Sequence, residues 1–230
     1  LERHARSFGY RCFLADPHVG GRFSALTAFG VVPSVLAGAD MAQLLAQARA
    51  VHQSLSEDAV ENPALLLASA LASELPERYV VAVTDGEDAP WGLGEWIEQL
   101  VAESTGKQGR GVLPIALPPQ AAEVVGALAE RCVGVRVRST PPLGEPLPHR
   151  IEVSGALGAQ LLLWETATAV LGHLMQIDPF NQPDVEAAKV AARAALAEAS
   201  ASQPAASQHG SDTKLHPTEV LSKLRDGAEP

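Results

Sequence analysis

Three short segments of this 230-residue sequence carry side chains that could bind an anion or move a proton. The first is the run Gly20-Gly21-Arg22, which precedes the apolar stretch 24–36. Bare backbone N–H groups and a guanidinium at the start of a helix suit an anion or a developing oxyanion. The same residues could equally form a tight turn beside a surface arginine, and the sequence leaves both interpretations open.

The second segment is Glu98–Gly111, in which a predicted helix carrying Glu103 ends in a short basic loop rich in glycine. Its run STGK looks like the end of a P-loop, but no glycine lies five residues before Gly106, so the nucleotide-binding pattern is not met. Lys107 and Arg110 could simply complement the dipole at an exposed helix end. Alternatively, Glu103 faces the C-terminal edge of a strand and acts as a general base.

The third segment is Ile177–Lys189, where Pro179 and Pro183 separate two predicted helices. Gln182 lies at the start of the second helix. Lys189 follows seven residues later, about two turns, and hence on roughly the same face. The pattern is typical of a helix cap followed by a solvated lysine, or of an amide and an ammonium that point into one cleft.

The elements that must position these residues alternate between strands and helices, which predicts an α/β fold with a mainly parallel sheet and helices on both faces. Strands are predicted at 11–15, 78–84, 111–116, 132–138 and 150–154, and helices at 24–36, 39–56, 63–73, 93–103, 119–130, 156–176 and 183–199. The apolar helix 24–36 is expected to be buried. Ligands of such sheets bind outside the carboxyl ends of the strands.

The composition excludes several functional classes. A formal net charge of −10 argues against a general binder of nucleic acid or of anionic membranes, and no apolar run approaches the ~20 residues of a membrane span. Cys12 and Cys132 form no disulfide framework and predict buried thiols in a reducing compartment. No histidines have metal-ligand spacing. We expect a soluble cytoplasmic protein.

Composition also predicts the organisation of the chain. We expect one domain over 1–199 and a polar, disordered tail over 200–230, with a short helix over 217–226. The sequence opens without Met on a charged, helix-like run that leads into a predicted strand. We therefore expect a fragment, or a chain cut at a domain boundary.

Together, and in this order, the three segments resemble the phosphoglucose isomerases, the aldose–ketose isomerases of glycolysis, over residues 10–195. The run GGRFS matches the family's first signature, and AESTGK is similar to the segment with its catalytic glutamate. FNQPDVEAAK is similar to the second signature, with Asp184 where that signature has Gly. The run WET at Trp164–Thr166 resembles the family's Tyr-Glu-His, with Thr in the place of His.

The resemblance implies a three-layer αβα sandwich of the sugar-isomerase type. It also implies interconversion of glucose 6-phosphate and fructose 6-phosphate through a cis-enediol, without cofactor or metal. Glu103 would move the proton between C1 and C2, and Arg22 with the Gly21 backbone would stabilise the enediolate. Gln182 would help to hold the sugar phosphate, and Lys189 would assist ring opening.

Two parts of the family's pattern have no clear counterpart. The family supplies a ring-opening His across a dimer interface, after the glutamate strand. The nearest candidate in chain order is His149, and His18 lies beside the glycines. The family's phosphate-binding Ser/Thr loop lies in an N-terminal domain that nothing here matches. The resemblance thus implies the C-terminal half of a homodimeric enzyme, with little turnover by itself.

Two alternatives stay open at this point. The segment could follow a transaldolase domain in a bifunctional chain. It could also be a non-catalytic sugar-phosphate sensor that retained the fold. A sensor has no need for the base at Glu103, whereas the missing His favours it.

Overall fold

The computed structural model describes residues 2–141 and 150–202. Within them, four parallel strands form one sheet in the order β2-β1-β3-β4. The strands are β1 (Val80–Asp85), β2 (Leu113–Ala116), β3 (Val133–Arg138) and β4 (Arg150–Ser154). Helices flank this all-parallel sheet, so the predicted α/β sandwich is confirmed.

The helices of the described ranges are α1 (Glu2–Ser7), α2 (Ala28–Leu36), α3 (Met41–Ser56), α4 (Pro63–Ser73), α5 (Leu93–Thr105), α6 (Ala122–Val125), α7 (Leu157–Leu174) and α8 (Pro183–Ser202). The chain divides into two compact units, Leu1–Gln182 and Pro183–Pro230, and α8 belongs to the second. In the described ranges, no helix combines the length and the apolar character that crossing a lipid bilayer requires.

Local sequence signals set the starts of α3 and α4. The side chain of Asp40 accepts a hydrogen bond from the backbone N–H of Gln43, as an N-cap does. Asn62 caps α4 in the same way, and Pro63 occupies the first helical position, where its missing N–H costs nothing. Both helices begin within two residues of the predicted position because their capping residues are explicit in the sequence.

The core lies on one face of the sheet. Alternate residues of β3 (Val133, Val135 and Val137) are at most 2 % exposed and belong to one cluster with side chains of α4, α5 and α7. Burying each such aliphatic side chain stabilises the fold by roughly 1.5–3 kcal/mol. Trp164 and Ile97 are the two largest side chains of this cluster that are less than 2 % exposed.

The strand order reverses at the carboxyl ends of β1 and β3, because α6 returns the chain from β2 to the other side of β1. Here the carboxylate of Asp88 accepts hydrogen bonds from the backbone N–H and the hydroxyl of both Ser139 and Thr140, at 2.8–3.2 Å. These bonds, led by that of the Thr140 hydroxyl, lower the pKa of Asp88 to about 2. The carboxylate of Asp88 therefore joins the segments that follow β1 and β3, at the edge where ligands of doubly wound sheets usually bind.

Two predictions near the N-terminus are wrong. Residues 11–15 form no strand: Phe13 and Leu14 are 59 % and 67 % exposed, and Cys12 is only partly buried. Helix α2 begins at Ala28 rather than at 24, and none of its residues is buried. Apolar composition alone predicts neither a strand partner nor a neighbour that covers a helix.

The helix predicted over 119–130 is also wrong in extent. It consists of α6 and a 3₁₀ turn at Ala129–Arg131, separated at Gly126, whose backbone is extended. Helix α8 spans Pro183–Ser202 and so ends three residues beyond the predicted end at 199. The helix predicted over 217–226 lies outside the described residues.

Candidate active site

Glu103 lies at the edge of the sheet where β1 and β2 begin. Helix α5 follows β1 and must run back across the sheet before the parallel strand β2 can start. Its last residue, Thr105, accepts a hydrogen bond from the N–H of Val112, just before β2. The prediction that Glu103 faces the carboxyl edge is therefore wrong, because the helix between two parallel strands ends at the amino edge.

Arg22 is buried beside Glu103, although it lies 81 residues earlier in the chain. The 3₁₀ turn Gly21–Phe23 places it there at 3 % exposure. Its Nε donates to Ser104 Oγ at 2.7 Å, and its Nη2 donates to the carbonyl of Pro179 at 2.5 Å. Burial lowers the pKa of Arg22, and the negative charges of Glu103 and Asp178 oppose this shift.

The remaining nitrogen of Arg22 points to the glutamate. Nη1 lies 3.6 Å from Glu103 Oε2, and this buried nitrogen makes no hydrogen bond in the described part of the chain. The Glu103 side chain is 44 % exposed, so one side of the ion pair is open. A cation with an unused donor beside an accessible carboxylate can stabilise negative charge that develops on a bound molecule.

Two amides complete the surroundings of Glu103. Gln182 Nε2 donates to Glu103 Oε2 at 3.3 Å, and Gln99 Nε2 donates to Oε1 at 3.4 Å. The structure therefore brings together Arg22, Glu103 and Gln182, three of the residues that the sequence singled out.

Lys107 is not the exposed helix-end cation that the sequence suggested. It is 8 % exposed, and its Nζ donates to the carbonyls of Asp178 and Asn181, the latter at 2.7 Å. Gln108 and Gly109, at φ 56° and 71°, form a tight turn that pairs Lys107 with Arg110. Burial, followed by the charge of Arg22, lowers the pKa of Lys107, and Asp178 opposes this shift.

Gln99, Ser104 and Lys107 were missed as site residues. Gln99 lies four residues before Glu103, the spacing at which helix side chains meet, and this signal could have found it. No comparable signal marks Lys107, because its partners are backbone carbonyls more than 70 residues away.

Gly21 differs from most glycines of the chain. A Cβ built on it would meet no described atom within 4 Å, and its φ is not in the left-handed region. Neither packing nor backbone conformation within the described residues requires glycine here. Open space in front of Gly21 is therefore available to a bound molecule.

The roles of two predicted site residues stay predictions. Lys189 lies in α8, which belongs to the second unit, and its side chain is exposed. His149 lies outside the described residues. Among the residues that the structure describes, no three His, Cys, Asp or Glu side chains are grouped as metal ligands.

The site is open to solvent on the side of the Glu103 carboxylate, whereas the Arg22 side chain is enclosed. A cavity of about 670 Å³ lies along the same glycine-rich loop, where Arg110, Leu113 and Met175 contribute to its lining. Neither Arg22 nor Glu103 lines it. An exposed carboxylate beside a buried cation is suited to moving a proton on carbon next to a carbonyl group, since a base and an oxyanion partner are both present.

The chain is similar to glucose-6-phosphate isomerases. It is 28 % identical to the Streptococcus pyogenes enzyme of serotype M2 over 78 % of this chain and 51 % of that protein, and equally identical to the serotype M28 enzyme over 82 % and 54 %. The chain thus spans about half the length of these curated relatives. No protein-family model matches it.

Two solved structures share its fold. One is a hypothetical protein of Thermus thermophilus, with a TM-score of 0.65 and 27 % identity over 85 % of this chain and 60 % of that one. The other is a glucose-6-phosphate isomerase of Chlamydia trachomatis, with a TM-score of 0.59 and 16 % identity over 90 % and 50 %. At that identity, the second supports the fold alone.

Proposed function

We propose that this chain carries the proton-transfer site of an aldose–ketose isomerase that interconverts glucose 6-phosphate and fructose 6-phosphate. The observation that carries the proposal is the partly exposed Glu103 carboxylate 3.6 Å from a buried guanidinium nitrogen with no hydrogen bond to any described residue. The similarity to glucose-6-phosphate isomerases supports the choice of substrate.

The reaction proceeds on the open-chain sugar. Glu103 removes the proton from C2 of the aldose, and the electron pair moves into the C1 carbonyl to give an enediolate. Arg22 Nη1 stabilises the negative oxygen, and the Gly21 backbone lies against the sugar. The proton then returns from Glu103 to C1, while a proton passes from O2 to O1, so that O2 becomes the ketose carbonyl and O1 becomes the C1 hydroxyl.

Other residues prepare this step. Gln182 donates to Glu103 Oε2 and would share that amide with the sugar phosphate. In this proposal, Lys189 and a histidine, with His149 the candidate, open the sugar ring. The assembly is a homodimer whose sites lie near the interface, and no metal or cofactor takes part.

The decisive experiment measures the proton directly. The gene product that contains these residues is incubated with glucose 6-phosphate in deuterium oxide, and deuterium at C2 is followed by NMR. Glu103→Gln should lower the exchange rate by about 10²–10⁴-fold, because an amide cannot act as the base. Glu95→Gln is the matched control, since Glu95 is an exposed carboxylate at the other end of α5 and should leave the rate unchanged.

Equal rates for Glu103→Gln and the parent protein would overturn the assignment of the base. Binding of fructose 6-phosphate without any C2 exchange in the parent protein would instead indicate a sugar-phosphate sensor.

A further inference from the structure

The turn before Gln182 is bound by two buried cations. Arg22 Nη2 donates to the carbonyls of Pro179 and Asn181, at 2.5 and 3.4 Å. Lys107 Nζ donates to the carbonyls of Asp178 and Asn181. The carbonyl of Asn181, directly before Gln182, therefore accepts from both cations.

Burial of Lys107 needs an explanation. A buried ammonium loses its hydration, and the nearby charge of Arg22 disfavours it further. Complementing the dipole of α5 would need no burial at all. Two favourable interactions offset this cost: the hydrogen bonds from Lys107 to two carbonyls, and the attraction between its ammonium and the carboxylate of Asp178.

The position of the turn Asp178–Asn181 determines whether Gln182 can reach Glu103. Gln182 reaches Glu103 Oε2 at 3.3 Å, which is close to the limit of a hydrogen bond. A small movement of the preceding turn would break that contact. We propose that Lys107 is a positioning residue that fixes the turn Asp178–Asn181 by its carbonyls and thereby aims Gln182 at Glu103.

The structural part of this inference is tested without substrate. Amide hydrogen exchange is measured at Ile177 and Phe180, which flank Pro179 and lie within the turn region. Lys107→Met should accelerate exchange there at least 10-fold, because two carbonyls of the turn lose the hydrogen bonds that Lys107 donates. Arg110→Met is the matched control: Arg110 belongs to the same loop, is exposed and donates only at 3.4 Å, so exchange should not change.

A purely dipolar role for Lys107 gives a different result. In that case, exchange would accelerate in the last turn of α5, at Val101–Gly106, and the turn at 177–181 would exchange at the parent rate. That outcome overturns the inference.

The functional part rests on the proposed isomerase activity and uses a double-mutant cycle. Lys107→Met should lower kcat/KM by about 10- to 100-fold, since misplacing a positioning group by about 1 Å costs up to about 10²-fold. In a Gln182→Ala background, the same change should cost less than about threefold, because the group it positions is already gone. Lys107→Arg, which keeps a cation with several donors, should recover part of the loss.

The outcomes separate the two hypotheses. If the parent protein shows no C2 exchange, the proposed function fails while the hydrogen-exchange result still decides the role of Lys107. If the parent is active and the losses of Lys107→Met and Gln182→Ala simply multiply, positioning through Gln182 is wrong and the proposed function stands.

Discussion

Arg22 shows how one side chain can serve the fold and the site together. A buried guanidinium is costly unless its donors are used. Nε and Nη2 are satisfied by Ser104 Oγ and by carbonyls, which anchor the group rigidly. Nη1 is then held beside Glu103 without a hydrogen bond in the described part of the chain. The scaffold thus aims one donor at the place where negative charge is proposed to develop.

Gly21 offers the sharpest test at this scale. Gly21→Ala should change the free energy of unfolding by no more than about 0.5 kcal/mol, because the new methyl group meets no described atom within 4 Å. It should nevertheless lower kcat/KM by about 10-fold or more, because the methyl group occupies the space proposed for the sugar. Urea unfolding and steady-state kinetics measure the two effects.

Gly172→Ala is the comparison variant, because a methyl group at Gly172 would lie 2.8–2.9 Å from the Pro179 ring and must disturb packing. Normal kinetics in Gly21→Ala would mean that the substrate does not approach this backbone.

The end of α7 supports the turn that carries Gln182. A Cβ on Gly172 would lie 2.8–2.9 Å from three atoms of the Pro179 ring, and the N–H of Ile177 donates to the Gly172 carbonyl. The ring of Phe180 lies 5.1 Å from that of Phe23, next to Arg22. Helix, turn and 3₁₀ turn therefore form one packed arrangement around the site.

Gly172→Ala should destabilise this arrangement. Because Pro179 is rigid and cannot move aside cheaply, we expect a loss of about 1–3 kcal/mol in unfolding free energy, as for other overpacked sites. Thermal and urea unfolding measure it. His173→Ala, a change at the next and exposed position, should have little effect. Equal stability of Gly172→Ala and the parent would show that the turn can shift freely.

Elements with explicit signals were predictable from the sequence. The capping residues Asp40 and Asn62 locate α3 and α4, and the apolar run of β1 indicates a strand buried on both faces, as Val81–Thr84 are. The segments 11–15 and 24–36 were misread because apolar composition does not say whether anything packs over a segment. Gly126 interrupts a run that composition favours as one helix.

The site was predictable only where a motif marks it. The resemblance singled out Arg22, Glu103 and Gln182 together, and the structure places Arg22 and Gln182 within 3.6 Å of the Glu103 carboxylate. Lys107 was misread because its partners are backbone carbonyls, which leave no trace in residue types. The prediction that Glu103 faces the carboxyl edge was wrong because it followed the general rule for where ligands bind. The direction of α5, which ends at the amino edge, was not considered.

At the scale of the whole molecule, the pH dependence of stability includes a contribution from a partly buried carboxyl group on α7. Burial raises the pKa of Glu165 to about 8, and its Oε1 makes no hydrogen bond among the described residues. The folded protein therefore keeps this proton between pH 4.5 and about 8, while the unfolded chain releases it. The unfolded state binds fewer protons in that window, so stability contributed by this group falls as pH rises.

We expect the free energy of unfolding to fall with a slope of up to about 1.4 kcal/mol per pH unit from this one proton. Glu165→Gln, which is neutral at every pH, should remove this slope, so that its unfolding free energy should rise relative to that of the parent protein between pH 5 and pH 8. Urea unfolding at pH 5, 6.5 and 8 measures both. A parent protein whose difference from Glu165→Gln is constant across these pH values would contradict a raised pKa.

The two buried cations of the site recognise the turn Asp178–Asn181 by carbonyl groups, which every residue type possesses. The side chain of Asn181 is exposed, so the residue type at this position can change without loss of these hydrogen bonds. Asn181→Cys would provide an attachment point for a fluorescent label directly beside Gln182, and the emission of that label would report whether a molecule is bound at the site.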